Sequence, residues 1–214
     1  MKKLLTEREV LNAWQKRRRE IFISSETILT PAAADAAKVR GIEIVVQQKP
    51  TPPASKPQML KIASAGKVVI GSDHGGFELK EILKTYLKET GIEVEDVGTH
   101  SSEPADYPDF AEAVAQKVAG SGELRGVIID GAGAGSAITA NKLPGIRAAA
   151  CYDVYTARNS RLHNNANILT LGSRVTGMDT AKEILKTWLQ TEFEGGRHEK
   201  RVDKITAIEK KYLK

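Results

Sequence analysis

Short apolar runs alternate with amphipathic stretches along most of this chain. Lys67–Gly71, Ile92–Val97, Gly126–Asp130, Ile146–Ala150 and Asn167–Leu171 are runs of five or six residues dominated by Val, Ile, Leu and Ala. Runs of that length, bounded by turn residues, predict buried strands. Phe77–Thr90 instead places Leu79, Ile82, Leu83 and Leu87 on one stripe and stops at Gly91, the signature of a helix. Further helices are expected over about 109–119, 136–142, 154–161, 179–192 and 205–213. Repeated strand–helix units predict an α/β fold, with a parallel sheet and helices on both faces. Ligands of such sheets bind outside the carboxyl ends of the strands.

A different pattern precedes this body. Thr6-Glu-Arg-Glu9 fits a capping box, and Val10, Leu11 and Trp14 follow on one helix face. Ile21–Ile23 and Ile42–Val46 are strand candidates. Thr30-Pro31 reads as an N-cap with proline in the first turn, and Gly41 as the stop of that helix. Four of the eight prolines then fall between Pro50 and Pro57, a composition that reads as a semi-rigid linker. The organisation expected is a small α/β module over residues 1–48, a proline-rich linker over 49–66, and the main domain over 67–214. So few residues make a thin core, so the module is expected to pack on something else and to serve docking or assembly.

Composition narrows the classes. Hydrophobic content of 41% and charged content of 28% over 214 residues describe a soluble globular chain. No apolar run approaches the roughly 20 residues that span a bilayer, and the first residues lack the apolar stretch of a secretory signal. One cysteine, Cys151, excludes an intramolecular disulfide and fits a cytoplasmic location; it reads as a small buried residue. A formal charge of +5 is mild, and Lys16–Arg19 reads as the solvated end of a helix, so nucleic-acid binding is not expected.

The candidate chemistry lies at the strand ends. Gly126–Asp130 runs into Gly131-Ala-Gly-Ala-Gly-Ser136, a glycine loop opening a helix. Backbone N–H groups and a helix N-terminus there stabilise an anion, or an oxygen gaining charge in a reaction. The loop is not G-x-x-x-x-G-K-[ST], and a dinucleotide fingerprint belongs after the first strand, where Asp73 and His74 stand. Asp73, His74 and His163 lack the spacing of a zinc motif, so no metal is expected.

Seven segments carry a resemblance. Gly71–Phe77, Asp106–Asp109, Ala140–Lys142, Gly145–Ala148, Arg161–Asn167, Leu171–Arg174 and Gly195–Arg201 occur in an order and spacing similar to those of the ribose/galactose isomerase family. The resemblance covers about residues 67–214. It implies a Rossmann-like fold and a homodimer, or dimer of dimers, with sites at subunit interfaces. No metal or organic cofactor is implied. The implied reaction interconverts a phosphorylated aldose and ketose through a cis-enediolate, with ribose 5-phosphate the expected substrate and allose and galactose phosphates the competing ones. Asp73 and His74 match an active-site pair that bonds sugar hydroxyls. His163 matches the histidine that opens the sugar ring, since a neutral imidazole both donates and accepts a proton. Tyr107, Asn141 and Asn164 match substrate-facing positions, as do Gly131, Gly133, Gly135 and Ser136 of the loop. Arg197 and Arg201 match residues that grip the substrate phosphate, with Arg161 adding positive charge; paired guanidinium groups suit a doubly charged phosphate.

One position departs from the pattern. The family's usual proton-transfer base is a cysteine at the end of the third strand, and here that residue is Asp130. The threonine that assists it is Ala132, and the glutamate base of some relatives falls at Ser136. Two roles stay open for Asp130: the base itself, or a group that orders the loop. An exposed carboxylate, with a pKa of about 3.9, is a weak base for a carbon-bound proton. The alternative reading is a non-catalytic or altered-substrate sugar-phosphate-binding protein associated with a bacterial microcompartment. Leu5–Glu9, Thr27–Ala33 and Arg40–Ile44 resemble segments found on microcompartment enzymes, which implies shell or cargo partners for residues 1–48 and a location inside such a compartment.

Overall fold

The structure, a computed structural model, describes residues 4–24, 27–47 and 67–212. The chain divides into two compact units, Met1–Lys56 and Pro57–Lys214. The expected linker lies outside the described residues.

The first unit contains β1 (Leu4–Leu5), α1 (Glu7–Gln15), β2 (Glu20–Ser24), β3 (Ile28–Leu29), α2 (Pro31–Arg40) and β4 (Glu43–Gln47). Its strands pair in parallel, β1 with β3 and β2 with β4. The Glu9 carboxylate accepts from the Thr6 backbone N–H at 2.8 Å, which fastens the start of α1. Thr30 caps α2 by accepting from the Ala33 N–H, and Gly41 ends it at φ +63°, a left-handed conformation that glycine adopts without a Cβ penalty. Leu5, Val10, Ala33, Ala37 and Ile42 form a core internal to this unit. Trp14 departs from the expected apolar face: it is exposed, and the Arg40 guanidinium lies 4.2 Å from its ring centre.

The second unit runs β5 (Lys67–Ser72), α3 (Phe77–Glu89), β6 (Glu93–Asp96), α4 (Tyr107–Val118), β7 (Arg125–Asp130), α5 (Ala134–Ala140), β8 (Ala148–Ala150), α6 (Val154–Asn164), β9 (Ile168–Gly172), α7 (Met178–Gln190) and α8 (Glu199–Tyr212). All five strands are parallel, in the order β6-β5-β7-β9-β8. The central strands are apolar on both faces because both are covered. Val68, Ile70, Val127, Ile129, Leu169 and Leu171 pack with α3, α6 and α7, while Val69, Ile128 and Ile168 pack with α4 and α5. The chain leaves β5 for β6 on one side and returns to β7 on the other. The crevice between the ends of β5 and β7 is therefore a switch point, where such sheets take ligands.

Three helix starts differ from the sequence reading. α5 begins two residues early, directly after Gly133 at positive φ. α4 begins two residues early because Pro108 sits in its first turn, where a missing N–H costs nothing. α8 begins six residues early, after a turn formed by Gly196, Arg197 and His198, with Gly195 and Gly196 both at positive φ; its charged first turn hides the apolar period. Leu213, expected at its end, lies outside the described residues.

Lys80 of α3 is fully buried, an uncommon place for an ammonium. Its Nζ donates to Asp96 Oδ2 and to the Thr99 carbonyl, each at 2.7 Å, which pins the loop after β6 to α3. Burial pushes the Asp96 carboxyl up, but Lys80, Lys84 and the Gly98 N–H outweigh it and hold it below its ordinary value. Asp96→Ala leaves buried Lys80 with Glu81, 3.1 Å away and partly exposed, as its remaining counter-charge, and is expected to cost about 2 kcal/mol in urea unfolding. The depressed carboxyl also sets a sign. Its contribution is present above the unfolded pKa of about 3.9 and is lost as pH falls through the lower folded value. An acid titration followed by circular dichroism should show the wild type losing stability below about pH 4, and Asp96→Ala losing less.

Candidate active site

Ser72 is in register with Ile129, so Asp73 and Asp130 stand side by side where β5 and β7 end. The Asp73 N–H donates to the Ile129 carbonyl at 3.3 Å, and Asp73 Oδ1 accepts from the Gly76 N–H at 2.9 Å. Neither oxygen of this nearly buried carboxylate has another hydrogen-bond partner among the described residues, which leaves Oδ2 free for a ligand. Next to it, His74 is exposed, and its Nδ1 is 3.0 Å from the Ala105 carbonyl oxygen. That contact orients the ring and leaves Nε2 available. Tyr107 opens α4 and lays its ring on Gly135: a Cβ there would come within 2.8 Å of the ring. These residues rim the crevice at the carboxyl edge of the sheet, as the sequence pattern predicts.

The glycine loop differs from the expectation in one respect. Asp130 does not perch at its lip but turns back into it. Oδ1 accepts from the N–H groups of Ala132, at 2.7 Å, and Gly133, while Oδ2 accepts from the Ser136 N–H at 3.0 Å and the Ser136 hydroxyl at 2.5 Å. The side chain therefore fills the nest of amides that was expected to face an anion. Gly133 permits the turn, at φ +83°, and its carbonyl takes a 2.7 Å bond from the Thr170 hydroxyl. Burial pushes the Asp130 carboxyl up, but the Ser136 hydroxyl and the three N–H groups more than offset it, and the carboxyl is held below its ordinary value. A carboxylate so engaged is a weak base. Ser136 is fully buried and spends its hydroxyl on Asp130, so it does not line the crevice as expected; Gly133 is buried as well, whereas Gly131 and Gly135 keep partial access.

His163 and the two arginines are elsewhere. α6 runs back antiparallel to the strands and ends at Asn164, just before β9 begins level with Gly126. His163 and Asn164 therefore sit at the amino edge of the sheet. From Gly126 to Asp130 the strand climbs about 13 Å, so one chain does not join His163 to Asp130. The His163 ring stacks on His198, centres 4.0 Å apart and planes within 3°. Arg197 Nε donates to His198 Nε2 at 3.1 Å, and Arg201 Nη1 lies 3.4 Å from His198 Nδ1. Burial, then coulombic repulsion from His163, pushes the His198 imidazole below its ordinary value, and Arg197 and Arg201 add to the effect. His198 is the residue that sequence reasoning passed over, although it stands between the two expected arginines. His163, Glu194 and His198 bring three potential metal-ligating atoms within 4.8 Å of one another. Parallel rings do not aim their nitrogens at one point, and two flanking guanidinium groups suit an anion better than a cation.

Two further expectations are corrected. Asn141 spends both ends of its amide on the Ala148 backbone, donating to the carbonyl at 2.9 Å and accepting from the N–H at 2.8 Å, which fastens β8 rather than a substrate. Arg161 is buried, donates to the Ala166 carbonyl at 2.6 Å and the Asn165 side chain at 3.0 Å, and is pushed down to about 10 by burial; it closes the turn after α6. Cys151 is buried as expected, and burial pushes its thiol up, away from thiolate chemistry.

Asp130→Ala orphans three N–H groups and the Ser136 hydroxyl. It is expected to cost about 3 kcal/mol of stability, read as a lowered urea midpoint. A cost under about 0.5 kcal/mol would mean that the loop does not depend on this carboxylate.

The chain has extensive relatives. The ribose/galactose isomerase family model matches residues 68–205. Ribose-5-phosphate isomerase B of Escherichia coli is 50% identical over 145 residues, 68% of this chain and 97% of the relative. D-erythrulose-4-phosphate isomerase of Pectobacterium atrosepticum is 41% identical over 139 residues, 64% of this chain and 91% of the relative. Among solved structures, ribose-5-phosphate isomerase B of Clostridium thermocellum is 58% identical, with a TM-score of 0.66 over 68% of this chain and 99% of that one. The family match begins after the N-terminal unit, so residues 1–66 lie outside it. From the parallel sheet, the paired strand-end aspartates and these relatives together, the chain belongs to the ribose/galactose isomerase family, as a sugar-phosphate isomerase.

Proposed function

We propose that this isomerase interconverts ribose 5-phosphate and ribulose 5-phosphate through a cis-enediolate, in a homodimer whose subunits share their active sites. In each site, Asp73, His74, Tyr107 and the Gly131–Gly135 loop come from one subunit, and His163, Asn164, Arg197 and Arg201 from the other. The observation that carries this reading is the separation just described: the residues the reaction needs are sorted to opposite edges of one parallel sheet, so a complete set requires two chains. The relatives supply the substrate class, although their names include both a five-carbon and a four-carbon sugar phosphate.

The roles follow from the chemistry. His163 passes the proton that opens the ring. The base takes the hydrogen from C2 of the open aldose and returns it to C1, while the hydroxyl proton shifts from O2 to O1. Asp130 stands in the place of the usual cysteine, yet its lone pairs are committed to the loop. Asp73 has an oxygen to spend and is the base in this proposal. Asp130 then contributes by holding Gly131 and Gly135 in place beneath the substrate. Arg197 and Arg201 hold the phosphate by paired, charge-assisted hydrogen bonds.

The test is a panel of aldose and ketose phosphates in heavy water. Ribose 5-phosphate should gain deuterium beside its carbonyl as it isomerises. Asp73→Asn should lower kcat by about 100-fold or more with KM changed by less than about threefold. Binding of sugar phosphate by calorimetry with no exchange anywhere in the panel would contradict isomerisation. Exchange that survives Asp73→Asn intact would remove Asp73 from the role of base.

A further inference from the structure

The charge of this chain is not spread evenly. Residues 1–56 hold eleven Lys and Arg against six Asp and Glu, whereas residues 57–214 hold twenty-one of each. The whole formal charge of +5 therefore belongs to the N-terminal unit. Within it, Lys16, Arg17, Arg18 and Arg19 follow the end of α1, and Arg40 closes α2. Trp14, Gln15, Arg17, Arg18, Arg19, Arg40 and Gly41 line a groove of about 670 Å³.

Cations at helix C-termini have an ordinary explanation, since they complement the helix dipoles. Two helix ends carry only about one negative charge between them. Glu20 and Glu43 stand opposite each other at the starts of β2 and β4, close in sequence to Arg19 and Arg40. Neither forms an ion pair with the cluster among the described residues. Five cations exceed what these groups offset. The side chains also differ from a solvated face in kind. Four of the five cations are arginine, and these four line the groove with a tryptophan that is 45% exposed. Arginine and tryptophan are enriched at protein–protein interfaces, where lysine and glutamate are depleted.

We propose that this Trp14–Arg40 groove docks an acidic segment of another protein, one that carries carboxylates for the arginines and an apolar side chain for Trp14. Nucleic acid is the competing occupant; the pairing of arginine with an exposed tryptophan favours protein. The proposal is independent of the isomerase reading, because no residue in it belongs to the second unit.

The experiment uses the full chain and a fluorescein-labelled peptide of Glu and Asp carrying one Leu and one Phe, followed by anisotropy. Saturable binding is expected at low salt, weakened about fivefold or more by raising salt to about 0.3 M. Arg18→Glu combined with Arg40→Glu should weaken it about tenfold or more, and Trp14→Ala about threefold or more. Replacing the peptide's Leu and Phe by Ser should weaken it as well. Trp188, the second tryptophan, is fully buried, so a shift in tryptophan emission reports on Trp14. Circular dichroism melts of the variants confirm that they fold. The proposal is overturned if folded variants bind as tightly as the wild type, if the peptide does not bind, or if single-stranded DNA of matching length or phosphatidylserine vesicles bind more tightly than the peptide.

Discussion

A parallel sheet sorts chemistry by direction. Every strand delivers its last residue to one edge, and every helix that follows carries the chain back to the other. Here that rule places Asp73, His74 and Asp130 at the carboxyl edge and His163 and Asn164 at the amino edge. No side-chain rotation spans the difference, because the length of β7 separates the two groups. The rest of the functional reading depends on this constraint. In the proposed function it turns a list of residues into two half-sites, and it makes association of two chains part of the proposed chemistry.

At the carboxyl edge the decisive detail is the direction of one carboxylate. Asp130 occupies the amide nest of its own loop, so the loop is held by a charge internal to the chain. A thiol in that position would make weaker hydrogen bonds and leave those amides freer. The proposed function accordingly gives Asp130 a supporting role and assigns the base to the neighbouring Asp73, which has an oxygen with no partner among the described residues. At the amino edge, the two arginines flank the stacked His163 and His198 rings and make a cationic pocket wall, suited to a phosphate and the sugar next to it.

The architecture was legible in the sequence because it rests on periodicity. Val68–Ile70 and Val127–Ile129 are apolar without alternation, which only a strand covered on both faces tolerates. The stripe Leu79, Leu83, Leu87 marks α3, and all three are buried. Helix starts were less legible where a proline or a glycine pair, rather than an apolar residue, opened the helix, as at Pro108 and Gly196. The residue types of the site could also be read, since they stand in order along the chain. Their grouping could not. The stack of His163 on His198 joins positions 35 apart and depends on how α8 returns to α6. The partners of Asp130 were hidden for a simpler reason: a serine six residues on is within reach only once the loop has turned back. Trp14 shared the expected helix face with Val10, but Arg40 drew it to the surface of that unit while Val10 took the core.

The measurement that tests the shared site most directly is complementation between two inactive variants. Asp73→Asn removes the carboxyl-edge half of a site, and His163→Ala removes the amino-edge half. Unfolded together and refolded as a mixture, they form hybrid dimers in which one of the two sites takes Asp73 from one subunit and His163 from the other. Random pairing should restore about one quarter of wild-type activity. If the mixture stays as inactive as its components, although hybrid dimers are present by mass, each chain assembles its own site and the account is wrong.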